Sequence, residues 1–134
     1  MTEKINEILE LIKKSNFIEA AKKCKEIENK FSNNAELLHT YGFIFYNLKK
    51  YEQAIEQWKK AIIINPKFVF ALNNIGNALS KINKSDEAIN YLNEALKIDP
   101  SFFESYYTLS EIFFKKQDYE KSLINIDKAL DLKP

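Results

Sequence analysis

Residues 69–100 read VFALNNIGNALSKINKSDEAINYLNEALKIDP, and this stretch decides the fold. Leu72, Ile75 and Leu79, with Gly76 among them, recur at helical spacing, and after a break Ala88, Tyr91, Leu92 and Ala95 do so again. Strand alternation is absent. Ser85 followed by Asp86 and Glu87 is helix-start chemistry, because short polar and acidic side chains satisfy the free amides of a first turn. Asp99 precedes Pro100 and is pushed out of the α region, so the second helix ends just upstream. The stretch is a helical hairpin, and the small residues Gly76 and Ala88 let its two helices approach closely.

Working outward, Pro66, Pro100 and Pro134 are spaced by 34 residues. Stepping other positions by that period keeps one size class in each column: Ala20, Ala54, Ala88 and Ser122; Ala61, Ala95 and Ala129; Gly42, Gly76 and Ser110; Tyr41, Ile75 and Leu109. Phe17-Ile18-Glu19-Ala20 stands over Tyr51-Glu52-Gln53-Ala54, so a more distant copy occupies the N-terminus. The chain therefore reads as one domain, 1–134, of four repeats: 1–34, 35–68, 69–102 and 103–134. Asn33 with Glu36 and Ser101 with Glu104 have capping-box spacing before first helices, and Asn16 with Glu19 before a second. The turns inside the hairpins carry Ser15, Lys49, Asn83 and Gln117, of which only Asn tolerates the left-handed region well.

The columns Leu38-Tyr41-Gly42-Phe45-Ala54-Trp58-Ala61-Pro66 and Leu72-Ile75-Gly76-Leu79-Ala88-Leu92-Ala95-Pro100 resemble the tetratricopeptide repeat over the whole chain. The last repeat departs from the pattern with Ser110 and Ser122, and the first with Ile8 and Ile27 in place of small residues and Ser32 in place of proline. Pentatricopeptide repeats are the nearest rival, and the strict 34-residue period and the absence of Arg count against them. The resemblance implies an all-α, right-handed α-solenoid (superhelix) of four antiparallel helical hairpins, with first helices lining an inner, concave face. It also implies a non-catalytic module that binds a protein or peptide segment in that groove.

Composition narrows the partners. Of the 134 residues 46% are apolar, which suffices for a core, and the 20 cations, all Lys, leave a net charge of only +1 against 19 acids. Readers of nucleic acid lean on Arg forks and a basic excess, so no nucleic-acid partner is expected. Charges interrupt the N-terminal stretch MTEKINEILELIKK every few residues, which is neither a signal peptide nor a membrane span. One Cys excludes an internal disulfide and a Cys-rich zinc site, so the expected setting is cytoplasmic. One His, one Cys and scattered carboxylates form no triad, dyad or metal spacing, and neither catalysis nor a cofactor is expected. Cys24 shares a column with Trp58, Leu92 and Ile126 and reads as a buried hydrophobe.

By 34-residue stepping the groove stripe of the first helices holds Asn6, Thr40, Asn74 and Thr108; Ile5, His39, Asn73 and Tyr107; and Leu9, Phe43, Asn77 and Glu111. Amides and hydroxyls repeated at one spacing in the first column suit the backbone of an extended peptide. This column is similar to the asparagine ladder of the tetratricopeptide superhelix of O-linked N-acetylglucosamine transferase. The carboxylate clamp by which co-chaperones of this family hold heat-shock-chaperone C-terminal tails needs Lys and Asn where repeats two to four have His39, Phe43, Asn74, Glu104 and Thr108. Only Asn74 conforms, and Glu104 would repel the carboxylate, so no such tail is expected as partner.

A second reading is self-association into a homodimer. The last helix carries Leu123, Ile126 and Leu130 with no further helix of the sequence to cover them. A third is a scaffold domain within a larger enzyme.

Overall fold

In a computed structural model describing residues 2–30 and 32–134, eight α-helices carry the fold: α1 (Thr2–Lys13), α2 (Phe17–Ile27), α3 (Ala35–Asn47), α4 (Tyr51–Ile64), α5 (Val69–Lys81), α6 (Ser85–Ile98), α7 (Phe103–Lys115) and α8 (Tyr119–Leu132). A short 3-10 turn, Glu28–Lys30, follows α2. Consecutive helices pair as four hairpins, and these group into two compact units, Met1–Pro66 and Lys67–Pro134. The division falls within two residues of the repeat boundary at 68/69.

Each hairpin turns through the same backbone device. In the second, the Lys50 amide donates to the Phe45 carbonyl at 2.9 Å and the Lys49 amide to the Tyr46 carbonyl at 2.9 Å, with Lys49 at φ 60°. The same pair of bonds closes the turns at Ser15, Asn83 and Gln117, whose φ values are 57°, 63° and 63°. These bonds satisfy the last carbonyls of the first helix, and the left-handed residue is what aims the chain back along it. A side chain at positive φ is strained. Lys49→Gly and Gln117→Gly are therefore expected to stabilise the chain by about 0.5–1 kcal/mol each, read as a higher urea midpoint at constant slope.

Two of the expected caps stand elsewhere. The cap of α3 is Asn34, whose Oδ1 accepts the Leu37 amide at 3.1 Å, one residue beyond Asn33. Ser101 does not cap α7; its amide and hydroxyl both donate to Asp99 Oδ1, at 3.0 and 2.7 Å, and Phe102 occupies the cap position. Phe68 stands at the equivalent place before α5, and both phenylalanines are buried. Repeats three and four thus begin by burying a ring where repeat two begins with a polar cap. Asn16 caps α2 as expected, accepting the Glu19 amide at 3.4 Å. Residues before proline are extended: Asn65 at φ −129°, ψ 89° and Asp99 at φ −132°, ψ 92° terminate α4 and α6.

The small-residue columns hold the hairpins closed. Ala20, Ala54, Ala88, Ala61 and Ala95 have no exposed surface. A Cβ built on Gly76 would lie 2.6 Å from Leu92 Cγ, and one on Gly42 would meet the Trp58 indole. The register that pairs 42 with 58 and 76 with 92 sets Ser110 against Ile126 and Ile8 against Cys24. Wherever the first member is large the second is small, which accommodates the bulky Ile8 of repeat one; both it and Cys24 are buried. The serine departures of the last repeat also answer each other, because the Ser122 hydroxyl donates to the Ser110 carbonyl at 2.8 Å across the hairpin.

Candidate functional site

The first helices present the predicted stripe differently in the two units. In the first unit, α1 and α3 enclose a cleft of about 200 Å³ lined by Ile5, Leu9, Glu36, Leu37 and Thr40 over a base of Ile8 and Cys24. Asn6 is exposed on α1, and the Thr40 hydroxyl donates to the Glu36 carbonyl of its own helix at 3.0 Å. That bond takes its one donor and leaves the oxygen as an acceptor. Phe43 is partly exposed and meets the Phe17 ring edge-on at 6.1 Å. His39 is half-buried, its ring centroid 6.3 Å from that of Trp58 and its carbonyl accepting the indole N–H at 3.1 Å. Burial lowers the His39 pKa, partly opposed by the Glu36 carboxylate, so the neutral ring is favoured.

In the second unit, α5 and α7 separate the expected residues into two sets. Asn77 is half-buried, Asn74 likewise, and Tyr107 and Glu111 are exposed, beside Phe70, whose ring packs edge-on against Phe102 at 5.2 Å. Asn73 and Thr108, expected to face a ligand, are instead buried. The Asn73 side-chain oxygen accepts the hydroxyl of the fully buried Ser105 at 3.0 Å, tying α5 to α7. Thr108 donates to the Glu104 carbonyl at 3.0 Å. Of the ladder column, Thr108 ends in the packing between helices, and so does Asn73 of the neighbouring column. The signal for the Asn73 bond was Ser105 itself, a hydroxyl in the column that holds Ala71 one repeat earlier; both residues are fully buried, so the serine needs an acceptor where the alanine needs none.

On α8, Leu123, Leu130 and Ile124 are exposed and Ile126 is half-buried. Among the described residues no cluster of three His, Cys, Asp or Glu is placed to hold a metal, and no helix is long and apolar enough to cross a membrane. Cys24 is buried and its thiol pKa is pushed up to about 12 by desolvation, the opposite of what a nucleophile requires. A thiol reagent at pH 8 should therefore leave Cys24 unlabelled in the native chain and label it fully in denaturant, read by mass spectrometry; fast native labelling would show α1 and α2 opening.

Tetratricopeptide repeat models match residues 69–102 and 103–134, and a further TPR repeat model matches 42–83. The human protein O-mannosyl-transferase TMTC1 is 30% identical over 103 residues, 77% of this chain, and the chain spans only 12% of that relative's length. Among solved structures, MamA 41-end from Desulfovibrio magneticus RS-1 superposes with a TM-score of 0.88 at 25% identity, covering 99% of this chain and 75% of that one. YrrB, described as a TPR protein with an unusual peptide-binding site, has the same fold at 22% identity, with a TM-score of 0.84 over 92% of this chain and 64% of its own. Three matches tile 42–134, the hairpins repeat with one turn device and one size-compensated register, and the chain belongs to the tetratricopeptide repeat family.

Proposed function

We propose that the chain is a non-catalytic interaction module that captures a protein or peptide segment on the faces of its first helices. The observation that carries this reading is the exposure of large rings beside short amides on one face: Phe70 is 60% and Tyr107 51% exposed, with Asn74 and Asn77 between them in sequence. Exposed aromatics are costly in water and provide the anchors of protein interfaces, while the amides orient a backbone. Asn6 and the Thr40–Ile5–Leu9 cleft provide the corresponding face in the first unit. The YrrB description supports peptide binding on this architecture. A single buried thiol fits a reducing, cytoplasmic setting.

The test compares wild type with Phe70→Ala/Tyr107→Ala as baits in a pull-down read by quantitative proteomics. Partners are expected to be lost, with the thermal midpoint unchanged within a few degrees. Equal recovery of every partner would remove the reading. A homodimer through α8 is the second reading, favoured by Leu123 and Leu130 at 60% and 54% exposure. Leu123→Glu/Leu130→Glu should then abolish any concentration dependence in light scattering.

A further inference from the structure

A larger cleft, of about 710 Å³, opens on the other side of the first unit, where α2 and α4 flank the end of α3. Tyr41 and Phe45, stacked at 4.6 Å, line it together with Ile18, Ala21, Lys25 and Lys50. Ile18 is 65% exposed, a high value for a branched aliphatic side chain beside two rings. Lys25 and Lys50 make no ion pair with any described residue, whereas Glu56 pairs with Lys60 at 3.3 Å; the Glu28 carboxylate also lines the cleft.

The second unit places different residues at the same positions, 68 further on. Ala21 becomes Ile89, a much larger side chain. Ile18 and Leu48 become Asp86 and Lys116, which form a 2.8 Å ion pair. Phe45 becomes Phe113, and Lys121, at the position of Gln53, sets its ammonium 5.4 Å over that ring. The two unpaired lysines become Asn93 and Asp118. The residues that make this cleft apolar and edge it with cations in the first unit are thus not repeated in the second.

We propose that this cleft docks an acidic amphipathic helix of a partner protein. Its apolar side chains would cover Ile18 and Phe45, and its carboxylates would pair with Lys25 and Lys50. The two lysines select acids over bases and accelerate encounter, and the apolar contact holds the complex. The site joins the second helices α2 and α4 to the Tyr41–Phe45 side of α3, so it is tested by side chains other than Phe70 and Tyr107.

The experiment selects a phage-displayed library of short amphipathic helices on the full chain, with Ala21→Ile as counter-selection. Recovered sequences should be acidic and apolar, and a synthetic peptide of their consensus should bind roughly tenfold more weakly to Ala21→Ile and to Lys25→Glu/Lys50→Glu. Both variants should melt with the wild type, and Phe70→Ala/Tyr107→Ala should bind the peptide normally. Basic or uncharged consensus sequences, sequences that bind Ala21→Ile equally, or no enrichment would each overturn the proposal. Self-association of the wild-type chain that Ala21→Ile abolishes would also overturn it and assign the cleft to a second copy.

Discussion

Trp58→Ala lowers the stability of the chain by about 3–5 kcal/mol, the range for deleting a fully buried large aromatic side chain. Trp58 is 1% exposed and lies against Gly42 across the α3–α4 hairpin. Its indole N–H is donated to the His39 carbonyl at 3.1 Å, and its ring is tilted against His39 at 6.3 Å and Tyr46 at 6.0 Å. Alanine removes the ring, leaves a cavity that two helices cannot collapse into without losing their spacing, and takes the indole donor from a half-buried carbonyl. Chemical denaturation measures the loss. Native-state hydrogen exchange should place it in α3 and α4, because in repeat arrays each hairpin is stabilised by its neighbours only. A loss under about 1 kcal/mol would mean that the column does not pack as described.

Gly42→Ala is the second large effect, and its sign runs against helix propensity. In mid-helix, alanine should gain about 0.8–1.0 kcal/mol over glycine. Here the new Cβ would lie 2.6 Å from Trp58 Cδ1 and 2.7 Å from Cε2, atoms of a rigid ring that cannot retreat into occupied space. Overpacking of this kind costs about 1–3 kcal/mol, so the net change is destabilising or at best neutral. The last hairpin supplies the control, since it carries Ser110 and Ile126 at the corresponding positions. Gly42→Ser combined with Trp58→Ile should be more stable than the sum of the single changes, with a coupling of about 0.5–3 kcal/mol in a double-mutant cycle. Additive losses would show that the two positions do not touch.

Much of this was legible because the hairpin is a local object. The 34-residue prolines, the alanine columns and the four turn residues each act within one repeat, and each has the predicted consequence: extended residues at 65 and 99, buried alanines, and positive φ at 15, 49, 83 and 117. The caps were less legible, since Asn33 and Asn34 offer the same chemistry one residue apart and only backbone geometry chooses between them. Ser101 donates its amide and hydroxyl to Asp99 Oδ1 instead of accepting a first-turn amide of α7.

The sequence by itself determined the repeat, its helices, its turns and its small-residue columns, because backbone propensity and 3.6-residue periodicity are properties of short segments. Only tertiary structure decided which polar residues reach solvent. Asn73 and Asn77 are one turn apart on α5, yet Asn73 is buried against Ser105 while Asn77 is half-exposed. It also decided where space is left open: Ala21 is unremarkable in sequence and becomes the opening of a cleft only once Tyr41, Phe45 and α4 stand around it. Burial and cavities are set by what neighbouring helices place opposite a residue, and a single helix's pattern does not contain that information.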